Sequence, residues 1–286
     1  MDYPTPLVSA EWLHAHLDDP QVRVVDCRFA LMDPSLGIRQ YQSGHVPGAV
    51  HLDLNRDLSS PVQAHGGRHP LPNVETLAQT LGRSGIQSVT EGEQPTFVVA
   101  YDDSRFAFAA RLWWLLRYLG HDQVAVLDGG FQGWRTAGYQ VTQAVPDYGP
   151  KTFKPQVRSH LLVNINDVKQ RKDLPQVLLV DSREGDRYRG EREPIDPVAG
   201  HIPGALNLFW HEVTNENSYV RSVGEQRSRW QSLFPNSPTK IDSAEEIMVY
   251  CGSGVTACVN LLSLELAGIA NGKLYAGSWS DWCSYS

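Results

Sequence analysis

Four short motifs occur twice in the same order, and this duplication limits the possible folds more than any other feature. Asp26-Cys27-Arg28, after the strand signal at 22–25, returns as Asp181-Ser182-Arg183 after Val177 to Val180. Gly44-His45-Val46-Pro47-Gly48-Ala49 returns as Gly200-His201-Ile202-Pro203-Gly204-Ala205. The stretch 97–119 returns as 247–267, and Asp128 to Trp134 returns as Ala276 to Trp282. Ordered self-similarity of this kind means two copies of one folding unit. Within each copy, short apolar runs alternate with helical stretches. Each copy is therefore expected to be α/β, a mainly parallel sheet flanked by helices. A length of 286 residues leaves each copy enough chain for its own core. The expected division is a first domain over 1–145, a linker over 146–158 and a second domain over 159–286. The linker falls in a stretch marked by Gly138, Pro146, Gly149, Pro150 and Pro155.

Local signals fill in this frame. Ser9 can cap a helix whose Trp12, Leu13 and Leu17 share one face. Strands are predicted at Val22 to Val25, Val50 to Leu52, Thr96 to Ala100 and Val124 to Leu127, with helices at 74–83 and 106–119. A net charge of −7 without a basic run argues against nucleic acid and anionic membranes as partners. No apolar stretch is long enough to span a bilayer, and Met1 to Pro6 does not read as a signal peptide. The chain is expected to be cytoplasmic. Its cysteines, Cys27, Cys251, Cys258 and Cys283, have no zinc-like spacing, so no metal site is expected and all four should be free thiols.

Residues 247–262 carry the chemistry. A buried strand from Ile247 to Tyr250 delivers Cys251 to a tight turn, and a helix begins at about Val255. That is the carboxyl end of a strand, where open α/β sheets place their sites. Gly252 and Gly254 let backbone N–H groups turn inward around the sulfur, a setting that favours a thiolate and bound anions. The first copy supplies a control: Tyr101 falls on Tyr250, Asp102 on Cys251 and Arg105 on Gly254. It keeps the frame without the thiol, so only the second copy can perform nucleophilic chemistry.

Taken together, Asp-x-Arg, the two Gly-His-x-Pro-Gly-Ala turns, the Cys251 loop and Gly277-Ser278-Trp279-x-x-Trp282 resemble the tandem-domain rhodanese family of sulfurtransferases over nearly the whole chain. The resemblance implies two rhodanese-like domains, the first inactive and the second catalytic. The Gly-His-x-Pro-Gly-Ala turns are expected to be structural. The uncharged loop Gly252-Ser253-Gly254-Val255-Thr256 is similar to that of the 3-mercaptopyruvate type rather than the thiosulfate type, whose loops carry cations. The activity so implied moves sulfane sulfur from 3-mercaptopyruvate through a Cys251 persulfide to a thiol, thioredoxin-like or cyanide acceptor, releasing pyruvate, with no cofactor. A proton relay of Ser253, His69 and Asp57 is carried over by motif position, with His65 as the competing histidine. For the donor carboxylate the resemblance points to Arg187. The family's second arginine is missing after Glu193-Pro194, where Ile195 stands, leaving Arg192 or Arg189 as substitutes in a mixed-charge loop.

Alternatives stay open beside this reading. One is a thiosulfate:cyanide sulfurtransferase on the same scaffold, and another is a persulfide carrier that docks on a protein without turning over. A cysteine phosphatase is excluded because Ala257 stands where its phosphate-clamping arginine would be. Cys258 and Cys283 are candidate redox partners of Cys251, although Cys258 is better explained as part of the apolar helix face.

Overall fold

The computed structural model describes residues 3–89, 94–234 and 241–285; Met1 and Asp2, on which the reading of the chain's start partly rests, lie outside them. Its strands are β1 (Leu7–Val8), β2 (Val22–Asp26), β3 (Val50–His51), β4 (Phe97–Tyr101), β5 (Val124–Leu127), β6 (Leu162–Val163), β7 (Val177–Asp181), β8 (Leu206–Asn207), β9 (Glu246–Tyr250) and β10 (Gly272–Tyr275). Its α-helices are α1 (Ala10–Ala15), α2 (Leu36–Ser43), α3 (Val74–Arg83), α4 (Ala109–Tyr118), α5 (Gly130–Thr136), α6 (Ile165–Arg171), α7 (Gly185–Arg189), α8 (Val223–Gln231), α9 (Ala257–Leu266) and α10 (Ser278–Cys283). Among the described residues, no helix is long and apolar enough to cross a membrane.

Each repeat builds a five-stranded sheet, ordered β1-β5-β4-β2-β3 in the first and β6-β10-β9-β7-β8 in the second. Neighbours run parallel throughout, and the register repeats: Asp26 lies opposite Tyr101, and Asp181 opposite Tyr250. The central strands β4 and β9 are buried along their whole length, as parallel strands covered on both faces require. Val24, Val99, Tyr101, Leu127 and Trp134 belong to the first core, and Leu179, Met248, Tyr250, Tyr275 and Trp279 to the second.

The Gly-His-x-Pro-Gly-Ala turns are structural in both copies. His45 stacks on Tyr41 at 3.9 Å between ring centres and His201 on Tyr188 at the same distance. Each imidazole Nδ1 also meets the carbonyl oxygen of the tyrosine it stacks on, at 2.7 Å.

Two expected boundaries need correction. The chain forms two compact units, one of Met1–Ser60, Leu71–Arg158 and Glu216–Val220, and another of Pro61–Pro70, Ser159–Asn215 and Arg221–Ser286. Residues 146–158 are therefore part of the first unit rather than a linker. Lys151 N–H donates to the Gly82 carbonyl at 2.9 Å, Gln156 to Leu119 and Arg158 to Tyr118 at 2.8 Å each, and Phe153 is buried. A strap whose backbone donors are satisfied in this way is an element of the unit it covers. Residues 61–70, expected within 1–145, belong to the second unit.

Candidate active site

Cys251 follows the last residue of β9, the strand that pairs with both β7 and β10. Its loop is fastened to the start of α10 by Trp279 N–H to Cys251 O at 3.0 Å and Ser280 N–H to Gly252 O at 2.9 Å. Gly254 has a φ of +74°, and a Cβ there would collide with the Ala276 carbonyl oxygen, so only glycine fits. That left-handed turn delays the helix to Ala257, two residues beyond the predicted start at Val255. Cys251 itself is 2% exposed.

The loop after β4 reveals what such a turn does to an anion. Asp102, at the position of Cys251, accepts N–H groups from Ser104 (2.8 Å), Phe106 (3.0 Å), Phe108 (2.9 Å) and Ala109 (2.8 Å). Burial pushes its carboxyl up, against the pull of those donors. Arg105 keeps a φ of +56°, matching Gly254, and Phe106 follows at +71°, which holds α4 back to Ala109. By register, the N–H groups corresponding to those of Ser104, Phe106 and Phe108 are those of Ser253, Val255 and Ala257.

Ser278 buttresses the cysteine and went unnoticed in the sequence. Its Oγ accepts the Cys251 N–H at 3.1 Å and donates to the Tyr275 carbonyl at 2.9 Å. It is fully buried at a φ of +57°, where the first copy has Gly130 at +56°.

The loop 65–69 brings further groups to this site within the second unit. Gly66 N–H donates to Asp281 Oδ1 at 2.7 Å and Arg68 N–H to Ser280 Oγ at 3.1 Å, clipping the loop to α10. His69 Nδ1 then lies 2.7 Å from Ser253 Oγ, with both residues buried. His65 instead contacts Ser284 Oγ at 2.8 Å and stacks on Tyr285, so it is His69 that reaches the loop serine. Asp57 is described in the first unit, where its carboxylate accepts the Asp53 N–H at 2.8 Å and pairs with Arg56 at 2.7 Å.

Two guanidinium groups converge beside the cysteine loop. A Cβ placed on Gly252 would lie 3.0 Å from Arg68 Nη2 and 3.7 Å from Arg187 Nη2. Arg187 pairs with Glu193 at 2.7 Å and with Asp196 at 3.3 Å, and Arg68 pairs with the other oxygen of Asp196. The Asp196 side chain is only 2% exposed. Burial pushes its carboxyl up against the pull of Arg68, whereas Glu193, also buried, is held below the usual range by Arg187 and by the N–H groups of Asp196 and Ile195.

The expected substitute Arg192 is not part of this cluster. It is half exposed and pairs with Glu184 and Asp186, and Arg189 likewise pairs with Glu191 at the surface. The second cation beside Gly252 is Arg68, more than a hundred residues earlier. The one sequence signal for it was its place next to His69.

Cys258 donates its thiol to the Gly254 carbonyl at 3.5 Å, a fold-keeping contact. Burial pushes the Cys283 thiol up to about 11, which keeps it protonated at neutral pH.

Comparison with known proteins agrees with this architecture. A family model described as "Rhodanese-like domain" matches residues 9–137 and 164–285. A Pseudomonas aeruginosa protein named "Probable 3-mercaptopyruvate sulfurtransferase" is 44% identical over 96% of this chain and 94% of its own length. An Arabidopsis thaliana relative named thiosulfate/3-mercaptopyruvate sulfurtransferase 2 is 31% identical over 98% of this chain and 84% of its own length. The crystal structure of a 3-mercaptopyruvate sulfurtransferase from Escherichia coli superposes with a TM-score of 0.80 and 30% identity, covering 97% of this chain and all of that one. The chain belongs to the rhodanese family of sulfurtransferases and consists of two rhodanese-like domains in tandem.

Proposed function

We propose that this sulfurtransferase takes its sulfur from 3-mercaptopyruvate and carries it as a persulfide on Cys251. The observation that supports this donor is the pair Arg68 and Arg187 beside Gly252, one residue from the nucleophile. Guanidinium forks suit a carboxylate. Both are already opposed by the buried carboxylates of Glu193 and Asp196. With that charge balance, a monocarboxylate is easier to accommodate than the thiosulfate dianion.

The Cys251 thiolate attacks the donor's sulfur, forming an S–S bond as the C–S bond breaks. The bonding electrons pass to carbon as the enolate of pyruvate. Ser253 protonates that carbon and is reprotonated by His69, across the 2.7 Å contact. N–H groups of the loop hold the persulfide as their counterparts hold Asp102. An acceptor thiolate, small or thioredoxin-like, or cyanide then attacks the outer sulfur and restores the Cys251 thiolate. Asp57, which the resemblance adds to the relay, belongs to the first unit, and the proton path runs through Ser253 and His69. A reducing cytoplasm, where acceptor thiols stay reduced, is the compartment this cycle suits.

Steady-state kinetics with both donors test the reading. Cys251→Ser should abolish turnover. Arg68→Ala and Arg187→Ala should each raise KM for 3-mercaptopyruvate roughly tenfold or more, because a charge-assisted hydrogen bond is lost, while changing kcat and the thiosulfate KM much less. Equal effects on the two donors would sink the carboxylate assignment, and turnover by the serine variant would sink the persulfide.

A further inference from the structure

The two Asp-x-Arg cages make matching contacts, and they differ at one nitrogen. In the second unit Arg183 Nε donates to both oxygens of Asp181 at 3.1 Å, and Nη2 donates to the Gly200 carbonyl at 2.6 Å. Its guanidinium lies 4.8 Å from the Trp279 ring centre. In the first unit Arg28 Nε donates to the oxygens of Asp26 at 3.0 and 2.9 Å, and Nη2 to the Gly44 carbonyl at 2.8 Å, with the Phe131 ring centre 4.0 Å away. The remaining nitrogen, Nη1, separates them. On Arg183 it meets the Glu193 carboxylate at 3.2 Å. On Arg28 it has no acceptor among the described residues, although the side chain is only 3% exposed.

A cavity of about 410 Å³ opens at that place, lined by Arg28, Ser43, Asp103, Gln132 and Arg135, among others. Its volume falls within the range of small-molecule sites, and it sits at the carboxyl ends of β2 and β4, where sheets of this kind bind ligands. We propose that this cavity in the catalytically silent unit is a binding site for a small monocarboxylate. The ligand's carboxylate would take the place on Arg28 Nη1 that Glu193 takes on Arg183. Arg135, exposed on α5, supplies a second guanidinium at the rim, and Gln132 a further amide donor. Asp103 shares the lining, with its carboxylate engaged by Gln40 Nε2 at 3.1 Å and Ser104 Oγ at 3.3 Å. That negative charge selects against dianions and sets the class as a single carboxylate on a short chain. The inference does not depend on the donor assigned to Cys251.

Arg28 is a poor first target, because removing it strands the buried Asp26. Ser43→Trp fills the cavity from an exposed position, and Arg135→Glu reverses the charge at its rim. Both are made in a full-length Arg68→Ala/Arg187→Ala chain, which lacks the two guanidiniums beside Gly252. Propanoate binding is then followed by ligand-observed saturation-transfer NMR, with the melting temperature of each variant as a check on folding. Saturable binding is expected in the parent, with its Kd raised roughly tenfold by Arg135→Glu and binding lost in Ser43→Trp. Absence of saturable binding in the parent, or equal binding in both folded variants, overturns the proposal.

Discussion

A serine at a φ of +57° carries backbone strain on the order of 1–2 kcal/mol, and glycine would remove it, as Gly130 does in the first copy. Ser278 keeps that strain where its hydroxyl holds the Cys251 N–H. That contact fixes the backbone that carries the sulfur, which makes Ser278 a candidate positioning residue. Ser278→Gly should change the melting temperature little, because relief of strain is offset by loss of the acceptor for the buried Cys251 N–H, yet slow alkylation of Cys251 by roughly threefold to tenfold as the sulfur loses its fixed position. Ser278→Ala should slow alkylation similarly while keeping the strain. Unchanged alkylation rates in both variants would reduce Ser278 to a packing residue. Its role was invisible in the sequence, since nothing in Gly277-Ser278-Trp279 announces a left-handed serine.

At the scale of elements, the strand–turn–helix units after β4 and β9 are one device used twice. The first is closed by its own carboxylate. Asp102→Ala would leave four N–H groups without their acceptor, at a cost of about 1–3 kcal/mol for each one that water cannot reach. A fall in melting temperature should follow, with Cys251 alkylation in the folded protein little changed; an unaltered melting temperature would show that water replaces the carboxylate freely. Long, strongly patterned elements were legible in advance. Helix α3 occupies 74–83 as predicted, because Asn73 caps it and Leu77 and Leu81 face the core. The two-residue strands β1 and β6 are too short to carry a period. Helix α2 was hidden in a polar stretch that buries little besides Gly37 and Tyr41. Cys251, Ser253 and Arg187 could be found from motifs, whereas Arg68 could not, because its neighbours in space, Asp196 and Gly252, are remote in sequence.

For the whole molecule, the repeat boundary and the folding boundary differ. Residues 61–70 come from the first repeat's stretch of sequence and fold with the second unit. A fragment of residues 159–286 therefore keeps Cys251 but lacks Arg68, His69 and the backbone bonds from Gly66 and Arg68 to α10. Its kcat/KM for 3-mercaptopyruvate should fall by roughly a hundredfold or more, since a guanidinium and the histidine that reprotonates Ser253 are lost together. The full-length Arg68→Ala/His69→Ala chain should show a similar loss, which covers the case of a fragment that does not fold. Full turnover by either would show that the loop has no part in the chemistry.

The carboxylate of Asp102 has a wider meaning for how such a chain can diversify. What the duplication copied was a mould for negative charge, and the mould does not read chemical elements. Oxygen from the chain's own side chain fills one cast, and the sulfur of Cys251 stands at the matching place in the other. Descent from a shared ancestor could thus keep both copies folded while only one kept a thiol at that place. The difference between a closed cast and an open one comes down to whether a carboxylate oxygen or a thiol sulfur stands at its centre.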